Sequence, residues 1–371
     1  MEAQDDPVPT VVDNTSAHWR RTWHAVAPSG ELGDEPIRVW LLGEAWVLVR
    51  LGGAVRAFRD RCPHRLAPLS AGTVVDDELR CGYHGWRFAA AGRCVAIPAV
   101  GAGPDDHIPR RADATAAAGV QERYGLIWVA PDDPVCPLHE FPEWEAGADG
   151  GFDTIWSTVV RTPVSAAQLV DNFLDASHFP FVHTGTFGDD KAALVVDDGV
   201  DVDGWFVRTE FDTWYRNFDD PEVASGAHDA VQPQKLLKQG SASLTVYLRL
   251  YFPVTDSTFS ILFCCQPETA TSTRIYKLMA RNDLGGDRER IERCIADEDQ
   301  ILGEDLDILE RYERMELHLD LRREVHTRAD RLSMAWRRLL AKLAAEGAAA
   351  REVAEELEVP VALPGTERVP A

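Results

Sequence analysis

Cys62 and His64 in Cys-Pro-His, and Cys81 and His84 in Cys-Gly-Tyr-His, put two thiolates and two imidazoles into two short clusters. Thiolates suit a soft or borderline metal. A set in which two imidazoles replace two of four thiolates suits a [2Fe-2S] centre, one iron keeping the sulfurs and the other taking the nitrogens. Cys2His2 is also a structural zinc set, but zinc fingers usually pair Cys with Cys and His with His on separate elements. Here each cluster supplies one of each. Two loops closing from opposite sides can then bring both sulfurs to one iron and both nitrogens to the other. The two-iron cluster is the preferred reading and zinc its rival.

The surrounding residues carry a family resemblance. Asp60-Arg61-Cys62-Pro63-His64-Arg65, the following Ala67-Pro68-Leu69-Ser70, and Cys81-Gly82-Tyr83-His84-Gly85-Trp86-Arg87-Phe88, with sixteen residues between His64 and Cys81, resemble the Rieske domain of the Rieske non-haem iron oxygenases. Gly82 and Gly85 fit loops that need close backbone approach and unusual dihedrals around a cluster. Either glycine alone reads equally as an ordinary turn.

A second constellation runs from Asp171 to His183. On a helix, Asp171, Asp175 and His178 share a face at i, i+4 and i+7. His183 falls about 140° away on an unbroken helix. Pro180 disfavours helical geometry at Phe179 and removes a donor, so the chain is expected to turn there and return His183 to the side of His178. Two such imidazoles are two thirds of a 2-His-1-carboxylate facial triad. A His-x4-His pair in isolation reads as buried core histidines. Asn172-x2-Asp175-x2-His178-x4-His183 resembles the mononuclear iron motif of the same oxygenases. The resemblance implies that Asp175 is a relay, bonded to its own His178 and to His84 of a neighbouring subunit, with Asn172 near the iron. A carboxylate three residues from a ligand is placed to hold that ligand's other N–H.

The third ligand is expected from Ala296-Asp297-Glu298-Asp299-Gln300-Ile301-Leu302. An apolar stripe of Ile291, Ile295, Leu302, Leu306 and Leu309 turns Asp297 away, includes Glu298 and leaves Asp299 at its edge. Phase alone favours Glu298. The resemblance, an acidic residue, then Asp, then Gln, then apolar residues, favours Asp299, which is the expected ligand.

The elements that must position these groups form an α+β chain. At 371 residues with 45% hydrophobic and 27% charged composition, it is long enough for two domains. Residues 18–130, with short glycine-punctuated strands such as Trp46-Val-Leu-Val-Arg and Leu126-Ile-Trp-Val-Ala, predict an all-β [2Fe-2S] domain. Residues 131–371 predict a catalytic mononuclear iron domain after a Pro-rich connection, with tails over 1–17 and after about 345. In it Leu244, Val246, Leu248, Leu250 and Phe252 alternate with Thr245, Tyr247, Arg249 and Tyr251, predicting an antiparallel sheet with one buried face. Helical period follows over 287–318 and 327–342, with an Ala-rich continuation. The resemblance implies a helix-grip, START-like sheet.

No stretch is long and apolar enough for a membrane span, and the acidic N-terminus is unlike a signal peptide, so cytoplasmic is the expectation. Five of seven cysteines lie outside the ligand set, which argues against a disulfide framework. A net charge of −23 argues against nucleic acid and anionic membranes as partners. Yet Trp46 to Ala130 holds 11 Arg against 8 Asp plus Glu. Arg59, Arg61, Arg65, Arg80 and Arg87 bracket the ligand loops, either as a docking patch for an acidic electron donor or simply paired with Asp60, Asp76 and Asp77.

What the resemblance implies about activity is reductive activation of O2. Electrons from NAD(P)H would pass through a separate reductase, and possibly a ferredoxin, to a Rieske cluster and then to Fe(II) held by His178, His183 and Asp299. The chain has no Gly-x-Gly-x-x-Gly fingerprint of its own. The family relay requires a homotrimer. Ala67-Pro68-Leu69-Ser70 is similar to the monooxygenase and demethylase branch. The expected substrate is an apolar, ring-containing small molecule, and hydroxylation, demethylation and oxidative cyclisation are all compatible. Trp205, Phe206, Phe211, Trp214, Tyr215, Tyr247 and Tyr251 are either pocket lining or core. The alternatives are a Rieske electron carrier without oxygenase activity and a zinc-stabilised binding module.

Overall fold

The computed structural model describes residues 10–101, 108–188, 194–195, 199–217 and 220–357. The first part contains β1 (Val11–Val12), β2 (His24–Pro28), β3 (Ile37–Leu41), β4 (Glu44–Leu51), β5 (Ala54–Arg59), β6 (Thr73–Val75), β7 (Glu78–Arg80), β8 (Arg87–Phe88), β9 (Cys94–Ala96), β10 (Gly119–Arg123) and β11 (Leu126–Ala130). They form antiparallel sheets ordered β3-β4-β5, β6-β7-β8-β9 and β10-β11-β2. Four hairpins close on two residues that both have positive φ: Leu42-Gly43, Gly52-Gly53, Asp76-Asp77 and Tyr124-Gly125. Those turns match the twist of the paired strands and fix their register.

The second part contains α1 (Pro142–Ala146), β12 (Asp153–Trp156), β13 (Val160–Thr162), α2 (Ala166–Leu174), α3 (Phe179–Val182), β14 (Asp201–Asp203), β15 (Phe206–Arg216), α4 (Pro221–Ser225), β16 (Val231–Ser241), β17 (Thr245–Phe252), β18 (Ser257–Thr269), β19 (Ser272–Arg281), α5 (Arg288–Leu309), β20 (Leu317–His318) and α6 (Arg331–Leu357). The large sheet runs β12-β19-β18-β17-β16-β15-β14, with β13 also on β19. Helices α2, α5 and α6 cover its inner face through Leu169, Leu302 and Trp336, packed with Val246, Phe263 and Ile275.

The outer face is not solvated along its length. Trp23, Ala25, Leu126 and Trp128 from the N-terminal sheet pack on Tyr247, Leu262, Cys264 and Tyr276. Tyr247 and Thr245, expected on the open side, are therefore buried, at 7% and 4% exposure. The alternation in β17 separates two buried faces, one under helices and the other under a second sheet.

Two other expectations change. Residues 10–17 are not a free tail: β1 pairs with β20, and the Asn14 amide donates to Thr269 O, Ser272 O and Thr273 Oγ1 while its oxygen accepts from Ala166 N. Helix α5 stops at Leu309 instead of running to 318, because Leu317 is drawn into pairing with Val12. No described helix is long and apolar enough to cross a membrane.

Candidate metal centres

The two Cys/His loops are close structural copies. Cys62 follows β5 and Cys81 follows β7. In the first loop Leu66 N donates to Cys62 O and Cys62 N to Ala67 O. In the second, Gly85 N donates to Cys81 O and Cys81 N to Trp86 O. Leu66 and Gly85, at equivalent positions, both have positive φ, 61° and 71°. The first loop is closed by buried Asp60, whose carboxylate accepts from Ser70 N and Ser70 Oγ, each at 2.7 Å, and from Arg38. A Cβ on Gly82 would come 2.5 Å from Ala71 O, so the loops approach too closely for a side chain there.

Cys62 and Cys81, each at 2% exposure, sit in the small-domain core beside Phe58, Leu69 and Leu79, while His64 and His84 are exposed. The imidazoles lie side by side with centroids 4.5 Å apart, His64 stacked on Trp86 at 4.7 Å. Burial pushes the Cys62 thiol up to about 11, against backbone N–H groups of His64 and Arg65 that favour its thiolate, with Cys81 adding to the rise. Bound cation would supply the missing stabilisation of the thiolates. A tetrahedral zinc needs its donors within about 4 Å of one another. Among the described residues, a set of three donor atoms lying within 4.8 Å of one another is found elsewhere. Buried sulfurs and outward imidazoles fit the two-iron group, whose two irons would take the sulfurs and the nitrogens separately.

That other set is His178, His183 and Asp305. Helix α2 starts on Ser165, whose hydroxyl caps Gln168 N, and ends at Leu174. Asp175 turns extended, at φ −70° and ψ 146°. The break thus comes at Asp175, not Pro180, and Asp171, Asp175 and His178 do not share one helix face. Asp175 makes the turn itself: Oδ1 accepts from Ser177 N and Oγ, and Oδ2 from His178 N and Nδ1. Pro180 sits in the first turn of α3, where its missing N–H costs nothing. One helical turn then returns His183 beside His178, ring centroids 5.2 Å apart.

Asp305, on α5, completes the set. Its Oδ1 lies 3.4 Å from Nε2 of His178 and 3.4 Å from Nε2 of His183. This oxygen is buried and has no hydrogen-bond partner. Three donors converging on one point, one of them an orphaned carboxylate oxygen, fit a divalent first-row metal with open positions. The remaining ring nitrogens are held: Asp175 Oδ2 takes His178 Nδ1 at 2.8 Å, and Glu304 Oε2 takes His183 Nδ1 at 3.0 Å. Burial raises the Asp305 carboxyl, but the imidazoles and Asn172 hold it below the ordinary range. Against burial, His178 and Ser177 likewise hold Asp175 well below the usual carboxylate range. Against its own burial, Asp175 and Asp305 raise His178.

Asp299 is therefore not the third donor. Ser157 Oγ, Thr158 Oγ1 and Thr158 N all donate to its carboxylate, so it pins α5 to the segment after β12. Glu298 is paired with Lys277, Oε2 to Nζ 3.1 Å. The helical phase that favours Glu298 marks the right face: Asp305 is seven residues on, two turns along the same stripe. Asp305 lies about 10 Å along α5 beyond Glu298. Asp171 is structural, bonded to Arg337 and Ser333 on α6. Asn172 does border Asp305.

Lys238, Glu304 and Asp305 have no motif in the sequence reading. Lys238, on β16, is fully buried, and its ammonium donates to Asp175 O at 2.6 Å and lies 4.4 Å from the Phe179 centroid. Burial pushes it down to about 7 against the pull of Asp175 and Asp305. It places a cation at the C-terminal cap of α2, where the helix dipole favours one. Of the aromatic residues expected near a pocket, Phe211 and Trp214 line a recess with Phe179 and Phe187. Tyr247 instead bonds Glu143 on the other face. Arg59 and Arg87 pair with Glu44, Asp76 and Glu78, whereas exposed Arg61 and Arg65 have no side-chain partner among the described residues.

A small β domain presenting two Cys/His loops, packed on a helix-backed antiparallel sheet that holds a 2-His-1-carboxylate set, defines a redox protein with two metal centres. Residues 22–113 match the Rieske [2Fe-2S] domain and residues 163–346 the vanillate O-demethylase oxygenase C-terminal domain. Methylxanthine N1-demethylase NdmA of Pseudomonas putida is 35% identical over 189 residues, 49% of this chain and 52% of that protein, so the chain spans about half its length. The oxygenase component of chloroacetanilide N-alkylformylase of Rhizorhabdus wittichii is 29% identical over 316 residues, 80% of this chain and 86% of that protein. Among solved structures, the NdmA QL mutant of Pseudomonas putida CBB5 with caffeine is similar at a TM-score of 0.73 and 28% identity, covering 91% of this chain and 95% of that one. The chain belongs to the Rieske non-haem iron oxygenases.

Proposed function

We propose that this chain is a terminal oxygenase that oxidises an apolar, ring-containing small molecule with O2, by hydroxylation or demethylation, using electrons delivered by a separate reductase, with or without a ferredoxin. The observation that carries the reading is Asp305 Oδ1, buried, unbonded and 3.4 Å from Nε2 of both His178 and His183. A Rieske electron carrier has no use for such a set, and a zinc-stabilised module needs neither site.

When bound, the cluster supplies one-electron transfer and the ferrous ion supplies O2 activation. Cys62, Cys81, His64 and His84 would hold the first, and His178, His183 and Asp305 the second. The side chains around them set orientation and protonation. Asp175 keeps the His178 proton on Nδ1 and Nε2 free, and Glu304 does the same for His183. Asn172 borders Asp305 and helps to hold its carboxyl ionised, while Oδ1 has no hydrogen-bond partner. Lys238 fixes the carbonyl of Asp175 and so the turn between α2 and α3. Leu169, Phe173, Phe263, Ile301 and Leu302 line an apolar recess that reaches Asp305, where a ring can sit away from water.

His84 is exposed, as an exit for electrons toward Asp175 of a neighbouring subunit requires, and a homotrimer closes that ring of contacts. Exposed Arg61 and Arg65 give an acidic donor a local target on an otherwise acidic molecule. The test is iron and sulfide analysis of the purified protein, followed by NADH-coupled product formation with a surrogate reductase over a panel of aromatic and N- or O-methylated substrates. Expected are three irons and two sulfides per chain and product formation dependent on O2. A zinc-loaded protein, or a cluster-containing one that never forms product, contradicts the proposal.

A further inference from the structure

Two lysines stand on the buried inner face of the large sheet. Lys238 alternates with Leu236 on β16, and Lys277 lies between Ile275 and Met279 on β19; those three apolar neighbours belong to the core beneath the helices. Lys238 is 1% exposed and Lys277 3%. An amine buried in an apolar layer costs free energy that a hydrophobic residue of similar volume does not. What each lysine holds has to account for its presence.

Both hold main chain, and in each case it belongs to an element that carries metal donors. Lys238 Nζ donates to Asp175 O at 2.6 Å, a carbonyl left over where α2 ends, three residues before His178. Lys277 Nζ donates to Glu298 O within α5 and to Glu298 Oε2 at 3.1 Å, two turns before Asp305 on the same face. A bond to a side chain alone lets the backbone shift beneath it, whereas a bond to a carbonyl fixes the backbone itself. The two bonds from Lys277 also resist rotation of α5, and a turn of about 20° would swing an atom about 6 Å from the helix axis by about 2 Å. A neutral amine donates as an ammonium does, so neither contact depends on charge.

The two contacts share one base. Lys238 and Lys277 rise from β16 and β19 with β17 and β18 between them, so about 14 Å of hydrogen-bonded sheet separates their strands. The histidine turn is tied to one lysine and α5 to the other. The approach of Asp305 Oδ1 to Nε2 of His178 and of His183, 3.4 Å to each, is thereby referred to the sheet.

Resting on the oxygenase reading of the same site, we propose that Lys238 and Lys277 are a pair of positioning residues that fix the separation between Asp305 and the two histidines, and with it the affinity of the site for ferrous ion. Both act on one separation, so freeing either end releases the whole constraint.

The test is a double-mutant cycle on iron affinity, measured anaerobically by chelator competition on the cluster-containing protein without reductant or substrate. Lys238→Met frees one end. Lys277→Met with Glu298→Met frees the other without stranding the Glu298 charge. Each change should raise the Kd for Fe(II) about tenfold. All three substitutions together should raise it about 10- to 20-fold, where independent effects would multiply to about a hundredfold. Residues this far apart with no shared partner ordinarily act independently, so a merely structural role predicts the product. Asp299→Ala, which loosens α5 at another point, should leave the Kd within about twofold. Where a Met variant does not fold, Lys238→Gln, or Lys277→Gln with Glu298→Gln, shortens the arm by one bond, keeps an N–H donor and should act in the same way. Variants that bind Fe(II) as tightly as the parent, a combined effect near the product, or an equal rise in Asp299→Ala overturns the proposal. A parent protein that binds no mononuclear iron overturns the oxygenase reading instead.

Discussion

Asp175 Oδ2 accepts from Nδ1 of His178 at 2.8 Å while its own backbone carbonyl accepts from Lys238. A carboxylate between a metal-facing imidazole and the end of a helix fixes tautomer, ring orientation and backbone turn together. Asp175→Asn keeps the shape but can present an amide N–H where an acceptor is needed. The expected result is normal iron and cluster content with turnover down about 10- to 100-fold. Unchanged steady-state rates with a surrogate reductase would remove Asp175 from the mechanism.

Glu304 stands to His183 as Asp175 does to His178, with Thr186 Oγ1 also donating to its Oε2. Glu304→Gln should weaken mononuclear iron binding about tenfold without altering the visible spectrum of the cluster. Chelator competition followed by iron quantitation measures the first and absorption the second. A change confined to the cluster spectrum would place Glu304 wrongly.

At Gly82 a methyl group would meet Ala71 O at 2.5 Å, backbone against backbone. Gly82→Ala should force the two ligand loops apart and lower cluster occupancy several-fold, while leaving the far-UV circular dichroism of the large sheet intact. Full labile sulfide in this variant would show that the loops yield more readily than their packing implies.

His24 and His139 are buried, and burial pushes both imidazoles down to about 4. The unfolded chain takes up a proton on each below about 6.5, the folded chain only below about 4. Stability should therefore be level above pH 7 and fall as pH drops from 6.5 toward 4, by at most about 3 kcal/mol for each histidine. Urea midpoints across that window measure the slope, and His139→Gln should remove about half of it. A slope unchanged by that substitution would mean that His139 is not kept neutral by the fold.

Legibility in the sequence followed locality. The ligand loops are self-contained, each closed by bonds within a few residues, so Cys62, His64, Cys81 and His84 could be read directly. His178 and His183 flank one short turn and are equally readable, although the sequence points to Pro180 for the break that Asp175 makes. Glu304, Asp305 and Lys238 reach the site from distant elements, and nothing in their neighbourhoods distinguishes them from the other acids of α5 or from a surface lysine on a strand. What the sequence does hold is the phase of α5: Glu298 and Asp305 share one stripe, two turns apart. The covered outer face of the sheet was invisible for another reason. Tyr247 and Thr245 are amphipathic residues that suit solvent and an interdomain contact alike.

The most direct measurement of the central claim is mononuclear iron content in two variants of the same helix. Asp305→Ala should retain the cluster and its spectrum, lose the mononuclear iron and be inactive. Asp299→Ala should retain both metals and lose about 1–3 kcal/mol of stability through Ser157 and Thr158 left without their acceptor. If Asp305→Ala still binds a third iron and Asp299→Ala does not, the metal centre described here is wrong.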